Sequence, residues 1–85
     1  MRYQIHYRPP AAKTLRKLDK QTARRILEAI AQLSDNPRQP GCKKLQGGSG
    51  EMRIRVGNYR VVYEIYDGRL VVLVLHVGHR REVYR

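Results

Sequence analysis

The sequence predicts a small α+β domain in which two N-terminal helices pack on a curled, mainly antiparallel sheet of four strands, in the order β-α-α-β-β-β. Three observations carry this prediction. Apolar and polar residues alternate at the start of the chain and again near its end, which is typical of half-buried strands. Between these segments, apolar residues recur at helical spacing. Two turn sequences, Gly57-Asn58 and Asp67-Gly68, divide the final segment into successive strands.

The first strand and the first helix are predicted at the N-terminus. The strand has alternating large side chains: Tyr3, Ile5 and Tyr7. Pro9 and Pro10 end it, and proline suits the first turn of a helix because its missing N–H would have no helical partner there. The helix then has three apolar positions: Ala11, Leu15 and Leu18.

A second helix carries one apolar stripe before Asn36-Pro37 stops it. The stripe comprises Ala23, Ile26, Leu27, Ile30 and Leu33. Residues 38–50 are then predicted to form a glycine-rich loop, with Leu45 as an anchor to the core.

Three further strands are predicted after this loop. The second strand ends at the first of the two turns, and the third runs from Tyr59 to Tyr66. The second turn is predicted to be a two-residue hairpin that pairs Tyr66 with Arg69. The fourth strand, residues 69–77, is nearly all apolar, so we expect it to be buried on both faces and central in the sheet.

The hairpin between the second and third strands brings three arginines together. If the residues that flank its turn pair with each other, Arg55 faces Arg60, and Arg53 lies on the same face of the sheet. Like charges placed directly across a hairpin are destabilising. A fold that keeps three of them together is therefore expected to bind an anion.

The predicted register extends this face across the fourth strand. Three apolar residues would continue it: Leu73, Leu75 and Val77. Arg80, Arg81 and Tyr84 come soon after Gly78 and can reach back over the same face. His76 alternates with Leu75, so we expect it to point under the helices as a buried, hydrogen-bonded residue.

The charge of the chain indicates an anionic partner. The formal net charge is +11, from 18 Lys and Arg against 7 Asp and Glu, which favours a nucleic acid, an anionic membrane or an acidic protein. Arginine predominates, and its guanidinium suits bidentate phosphate contacts. At 85 residues, the chain is predicted to be one domain, residues 1–85, with little room for an enclosed cofactor cavity.

Metal, cofactor and covalent chemistry have no signature in the sequence. Cys42 is the single cysteine and the three histidines are scattered, so we expect no disulfide, no metal site and no cofactor. The glycine-rich run at residues 47–50 lacks the lysine and helix of a phosphate loop. The longest apolar run, residues 70–75, is too short to span a bilayer, so we expect a cytoplasmic protein without a membrane partner.

Arginines can act on RNA without a metal, because RNA carries its own nucleophile in the 2′-OH beside each phosphate. Cleavage requires that this hydroxyl lose its proton, that the developing phosphorane charge be stabilised, and that the leaving 5′-oxygen gain a proton. Fixed guanidiniums meet the second requirement well. They meet the first poorly, because arginine keeps its proton far above neutral pH and is a poor general base.

Two segments closely resemble the RelE-type toxins of the RelE/ParE superfamily. They are residues 50–65, GEMRIRVGNYRVVYEI, and residues 77–84, VGHRREVY. The Lys44-Leu45-Gln46-Gly47 loop and the Asn36-Pro37 pair before it are also similar to the family, so the resemblance covers essentially the whole chain.

This resemblance implies a RelE-like fold and the activity of a metal-independent, ribosome-dependent endoribonuclease. Such a toxin cuts the mRNA codon in the ribosomal A site and inhibits translation. The implied partners are a cognate acidic antitoxin, the small ribosomal subunit with its mRNA, and operator DNA reached only through the antitoxin complex.

The resemblance also assigns residues. Arg53 and Arg55 stand where the best-known member has two lysines, one of them assigned as general base. Arg60 stands at its phosphate-stabilising arginine and Arg80 at the arginine assigned as general acid. Tyr84 stands at a tyrosine that stacks on the substrate base.

Four residues are therefore expected to be catalytic: Arg55, Arg60, Arg80 and Tyr84. Five more are expected to bind the substrate: Arg53, His79, Arg81, Lys43 and Lys44. Because a lysine can have its pKa lowered and an arginine practically cannot, Arg55 is expected to orient the 2′-OH and to stabilise charge. Proton transfer is then assisted by rRNA or by His79, since histidine titrates near neutrality.

Two alternatives stay open. The ParE branch of the superfamily shares the fold but inhibits DNA gyrase without nuclease activity, and it generally lacks the full catalytic set. A non-catalytic RNA-binding module would explain the charge but not the tail from Arg80 to Tyr84.

Overall fold

The computed structural model describes residues 2–44 and 50–79. Its helices are α1 (Pro9–Lys17) and α2 (Lys20–Asp35). Its strands are β1 (Gln4–Tyr7), β2 (Lys43–Lys44), β3 (Met52–Val56), β4 (Tyr59–Tyr66) and β5 (Val71–His79). A 3₁₀ turn, Asp67–Arg69, connects β4 to β5.

Both helices begin with residues that suit a helix N-terminus. Pro9 and Pro10 occupy the first turn of α1, as predicted. The carboxylate of Asp19 caps α2 by accepting a hydrogen bond from the backbone N–H of Thr22 at 3.1 Å. α2 ends at Asn36, as the Asn36-Pro37 pair indicated.

The sheet has five strands in the order β1-β5-β4-β3-β2. β1 runs parallel to β5, and the other pairs are antiparallel. The predicted α+β class, with two helices on a mainly antiparallel sheet, is confirmed, but the strand number of four was too low. The additional strand is β2, which lies in the predicted loop and pairs with β3. β5 lies between β1 and β4, as its apolar sequence predicted.

The core lies between the helices and one face of the sheet. Its buried residues are Ala11, Ile26, Ile30, Leu33, Val61, Tyr63, Val72, Val74 and Val77. Leu27 does not belong to this core, although its spacing placed it in the apolar stripe of α2, because its side chain is 42% exposed. One residue of an α-helix turns the side chain by about 100°, so Leu27 cannot share the direction of Ile26.

The connection between β4 and β5 differs from the predicted two-residue turn. Tyr66 pairs with Val71 rather than with Arg69. The chain reverses through the 3₁₀ turn and through Leu70, whose φ of 53° lies in the left-handed region. A two-residue turn of the expected type needs a central residue with a positive φ. The φ of Gly68 is not positive.

Tertiary contacts hold this connection in place. The Asp67 carboxylate accepts hydrogen bonds from both terminal nitrogens of Arg38, at 3.1 and 2.9 Å, and from the Tyr3 hydroxyl at 2.7 Å. These contacts, that of Arg38 first, lower the pKa of Asp67 to about 2. Three separate segments of the chain therefore meet at one exposed carboxylate.

A β-bulge changes the alternation of β5. Tyr63 pairs with Val74, whereas the preceding Val62 pairs with His76, so Leu75 is an extra residue on β5. The bulge turns the C-terminal part of β5 over relative to the prediction. Val77 is consequently buried in the core opposite Val61, and it does not extend the face that carries the arginines.

No helix within residues 2–44 and 50–79 is long and apolar enough to cross a membrane.

Candidate active site

The predicted register of the β3–β4 hairpin is confirmed. Arg55 pairs with Arg60 and Arg53 pairs with Val62. Gly57 in the turn has a φ of 59°, a left-handed conformation that glycine adopts without strain. The sheet face that carries Arg53, Arg55 and Arg60 is called the arginine face below. It lies opposite the helices, because Ile54 and Val61 between these arginines pack toward the core.

The arginine face contains a cleft of about 250 Å³. Its lining residues are Gly41, Lys43, Arg53, Ile54, Arg55 and Arg60. Lys43 reaches this site because β2 places it directly opposite Arg53. Four cationic side chains thus surround one opening that can hold a phosphate group. All four are among the residues that the sequence predicted for the site.

Arg60 differs from the other cations of the cleft in its burial. It is 3% exposed, and its Nη1 atom is buried. Arg55, its partner across the hairpin, is exposed. A buried guanidinium keeps its proton and loses little further freedom when an anion arrives. Arg60 therefore presents a fixed charge, while Arg55 is a more accessible one.

A buried hydrogen bond supports the segment that leads to Lys43. The Tyr63 hydroxyl donates to the Pro37 carbonyl at 2.8 Å. The Tyr63 ring is fully buried, and this burial, with Cys42 nearby, raises the pKa of its hydroxyl. Further along, the Cys42 amide donates to the Gln39 carbonyl at 3.0 Å. The core tyrosine thus holds the start of the segment that carries Lys43 into the cleft.

Two of the predicted substrate-binding residues lie away from the cleft. Lys44 pairs with Met52, and successive residues of a strand point to opposite faces, so Lys44 faces away from Lys43. His79 pairs with Tyr59, and their rings make an edge-to-face contact with centroids 5.6 Å apart. Tyr59 packs against the core, so His79 lies on the helix side of the sheet.

The predicted tail residues Arg80, Arg81 and Tyr84 lie outside the described residues, as does Leu45.

His76 lies on the arginine face, where the sequence did not predict it. It pairs with Val62, and its side chain is exposed. Strict alternation from Leu75 predicted that His76 points under the helices. The bulge at Leu75 turns His76 to the opposite face. One signal was present in the sequence: a polar ring at a core position of an apolar strand would need a buried partner. Such a residue marks a position where the alternation can break.

Among residues 2–44 and 50–79, no group of three or more histidine, cysteine, aspartate or glutamate side chains could hold a metal ion.

Comparison with known proteins identifies the family. Residues 5–84 match the family described as the ParE toxin of the type II toxin–antitoxin system, parDE. The chain belongs to the RelE/ParE toxin superfamily. A RelE-like toxin protein of Escherichia coli is 34% identical over 82 residues, which cover 94% of this chain and 85% of that protein. The mRNA interferase toxin RelE of Escherichia coli (strain K12) is 31% identical over 88 residues, which cover 99% and 92%.

A solved structure of a RelE/ParE toxin has the same fold. In the archaeal RelE–RelB complex from Pyrococcus horikoshii OT3, the matched chain has a TM-score of 0.80 and 30% sequence identity. The match covers 94% of this chain and 97% of that one. The resemblance read from the hairpin and the tail is therefore confirmed, and the chain is a RelE-type toxin.

Proposed function

We propose that this RelE/ParE-family toxin is a metal-independent, ribosome-dependent endoribonuclease that cuts mRNA in the ribosomal A site and so inhibits translation. One observation carries the proposal: the cleft gathers Lys43, Arg53, Arg55 and Arg60 around a space suited to a phosphodiester. The name of the Escherichia coli relative, mRNA interferase toxin RelE, supports the same substrate. The site of action would be the cytoplasm, where ribosomes and mRNA are found.

The different burial of the cations suggests a different role for each. Arg60, buried and fixed, holds the scissile phosphate and stabilises the charge that develops on it. Arg55, exposed opposite Arg60, orients the 2′-OH next to that phosphate. Arg53 and Lys43 pair with each other further along the cleft, where they bind the neighbouring phosphate.

The tail completes this proposal. By resemblance, Arg80 acts as the general acid for the leaving 5′-oxygen and Tyr84 stacks on a base of the substrate. Arg81 is proposed to bind the substrate beside them. Gly78 lies opposite Arg60, and β5 extends one residue further, to His79.

The proposed regulatory partner is a cognate acidic antitoxin. The chain carries a net charge of +11, so an acidic chain would associate rapidly and with electrostatic complementarity. The RelE–RelB complex from Pyrococcus horikoshii OT3 supports such a partner. Operator DNA would be bound only through the toxin–antitoxin complex.

Mapping of mRNA cleavage with and without ribosomes tests the proposal. The purified wild type is compared with Arg55→Gln, each with and without chelator treatment of the toxin before the ribosomes and their Mg²⁺ are added. Removing a charge-stabilising donor from an active site lowers the rate by about 100-fold or more. Arg69→Gln is the matched control, because Arg69 is an exposed arginine in the β4–β5 connection, at the opposite end of β4 from the hairpin turn.

Each outcome of this experiment decides a part of the proposal. We expect cleavage only on ribosomes, unaffected by the chelator, with a large loss for Arg55→Gln and none for Arg69→Gln. Equal cleavage of free mRNA would refute the dependence on ribosomes. Equal rates for both variants would refute the assignment of the cleft. No cleavage at all, together with inhibition of DNA gyrase, would favour the ParE-like alternative.

A further inference from the structure

His76 lies in the row of side chains that crosses the sheet at the cleft. Lys43 is opposite Arg53, Arg53 is opposite Val62, and Val62 is opposite His76. Neighbouring strands are about 4.8 Å apart, so the His76 backbone, two strands away, is about 10 Å from that of Arg53. The side chain is exposed on the same sheet face as the cleft.

The path between His76 and Arg60 has no intervening side chain on β5. Arg60 pairs with Gly78, which is two residues from His76 on the same strand. His76 is thus a diagonal neighbour of Arg60, with Cβ positions about 7–8 Å apart in such pairs. A phosphodiester held by the Arg60 guanidinium lies within reach of an imidazole at that position.

The cleft needs a proton acceptor that its three arginines do not supply. Arginine does not release its proton near neutral pH, and arginine occupies both β3 positions of the cleft, at Arg53 and Arg55. Histidine is the side chain that ordinarily titrates between pH 5 and 8 and acts most often as a general base. His79 is on the helix side of the sheet. The bulge at Leu75 brings His76 to the arginine face instead, in keeping with the occurrence of bulges beside active sites.

We propose that His76 is the general base of the cleavage reaction, an inference that rests on the proposed nuclease function. A neutral ring nitrogen of His76 takes the proton of the 2′-OH, and the 2′-oxygen attacks the adjacent phosphorus. The bond between phosphorus and the 5′-oxygen then breaks. The products are a 2′,3′-cyclic phosphate and a 5′-hydroxyl, whose oxygen takes up a proton from solvent or from a neighbouring acid. The ring later returns its proton to solvent.

The charged groups near His76 come from three elements. Arg60 and Glu64 on β4 are its diagonal neighbours, and Arg53 on β3 lies beyond Val62. Arg8, whose amide bonds to the Val74 carbonyl at 2.9 Å, follows β1 on the other side of β5. A pH profile assigned to His76 therefore has to be separated from effects of these groups, which requires a variant of His76 itself.

The test measures the single-turnover rate of mRNA cleavage against pH for the wild type, His76→Gln and His6→Gln. His6→Gln is the matched control, because His6 is exposed on the same face but lies on the edge strand β1, opposite Leu73. We expect the wild-type rate to rise with pH between about 5 and 8. His76→Gln should lose about 100-fold and lack this rise, whereas His6→Gln should keep both the rate and the rise.

A second measurement needs no variant and no cleavage. A 2′-O-methyl RNA oligonucleotide, which lacks the nucleophile, is titrated into isotope-labelled wild type, and the imidazole resonances are followed by NMR. We expect those of His76 to shift and those of His6 to stay. Circular dichroism and thermal melting establish that His76→Gln is folded, as expected for an exposed ring.

The outcomes separate this inference from the proposed function. A His76→Gln variant that cleaves at the wild-type rate, with the same rise with pH, overturns the role of His76 and leaves the nuclease function intact. A rate that still rises with pH in His76→Gln but no longer does so in His79→Gln also overturns the role of His76. Unshifted His76 resonances count against the inference in the same way. A wild type that cleaves no mRNA refutes the proposed function and this inference with it.

Discussion

Replacing Tyr63 by phenylalanine removes one buried hydroxyl and no carbon atoms. That hydroxyl donates to the Pro37 carbonyl at 2.8 Å, and both residues are buried. The variant leaves a buried acceptor without this donor, which costs about 1–2 kcal/mol, close to the usual cost of an unsatisfied buried group. For a domain of this size, each kcal/mol lowers Tm by about 4–8 °C.

The assay compares urea unfolding and thermal melting of Tyr63→Phe with those of Tyr66→Phe. Tyr66 offers a matched control, because its hydroxyl also donates a hydrogen bond, to Glu64 at 2.9 Å, but its side chain is 41% exposed. Water can replace that bond, so we expect a change within about 0.5 kcal/mol. Hydrogen exchange at the Cys42 amide, which bonds to the Gln39 carbonyl, adds a local measurement of the segment before Lys43.

Equal midpoints for the two tyrosine variants would refute the reasoning, because burial would then not decide the cost of the lost hydroxyl. A large loss of stability without faster exchange at Cys42 would contradict only the part that links Tyr63 to the segment leading to the cleft.

Two further predictions concern charge. Binding of a non-cleavable single-stranded RNA, measured by fluorescence anisotropy, should weaken with salt. For the four cations of the cleft, the logarithm of the binding constant should fall with the logarithm of the salt concentration at a slope of about −3. Lys43→Ala should reduce the size of this slope by about 0.7, whereas Lys44→Ala, on the other face, should not change it; equal effects of the two variants would contradict the assignment of Lys43 to the binding site. Folding lowers the pKa of Asp67 from 3.8 to about 2, so the charged carboxylate stabilises the folded state. This stabilisation is complete above pH 3.8 and is lost as the pH falls through about 2. Acid urea titrations should therefore show Asp67→Asn and the wild type converging over that range, and parallel curves would show that the carboxylate contributes nothing.

The hairpin was predictable from the sequence because its determinants are local. Gly57-Asn58 fixes the turn, and the alternation on either side then fixes which face carries Arg53, Arg55 and Arg60. Lys43 was predicted as a substrate-binding residue, but its position opposite Arg53 was not predicted. A strand of two residues has no periodicity to read, so β2 becomes visible only through its pairing with β3.

The errors on β5 have two physical origins. Its register depends on the turn after Tyr66, where Asp67 is held by Arg38 and Tyr3, which are distant in sequence. The later bulge at Leu75 has no glycine or proline to announce it. The turn shifts the register by two residues and changes the partners of β5 but not its faces, whereas the bulge moves Val77 into the core and His76 out of it.

The bulge also bears on how a site rich in arginine can perform proton transfer. Arg55 and Arg60 face each other on adjacent strands and stabilise charge, but neither can accept a proton near neutral pH. The proton acceptor that we propose lies on another strand of the same face. β5 is adjacent to β4, and the extra residue at Leu75 gives its His76 the direction that strict alternation would deny. In the proposed reaction the two tasks are divided between strands: the hairpin holds the phosphate, and β5 supplies the histidine ring.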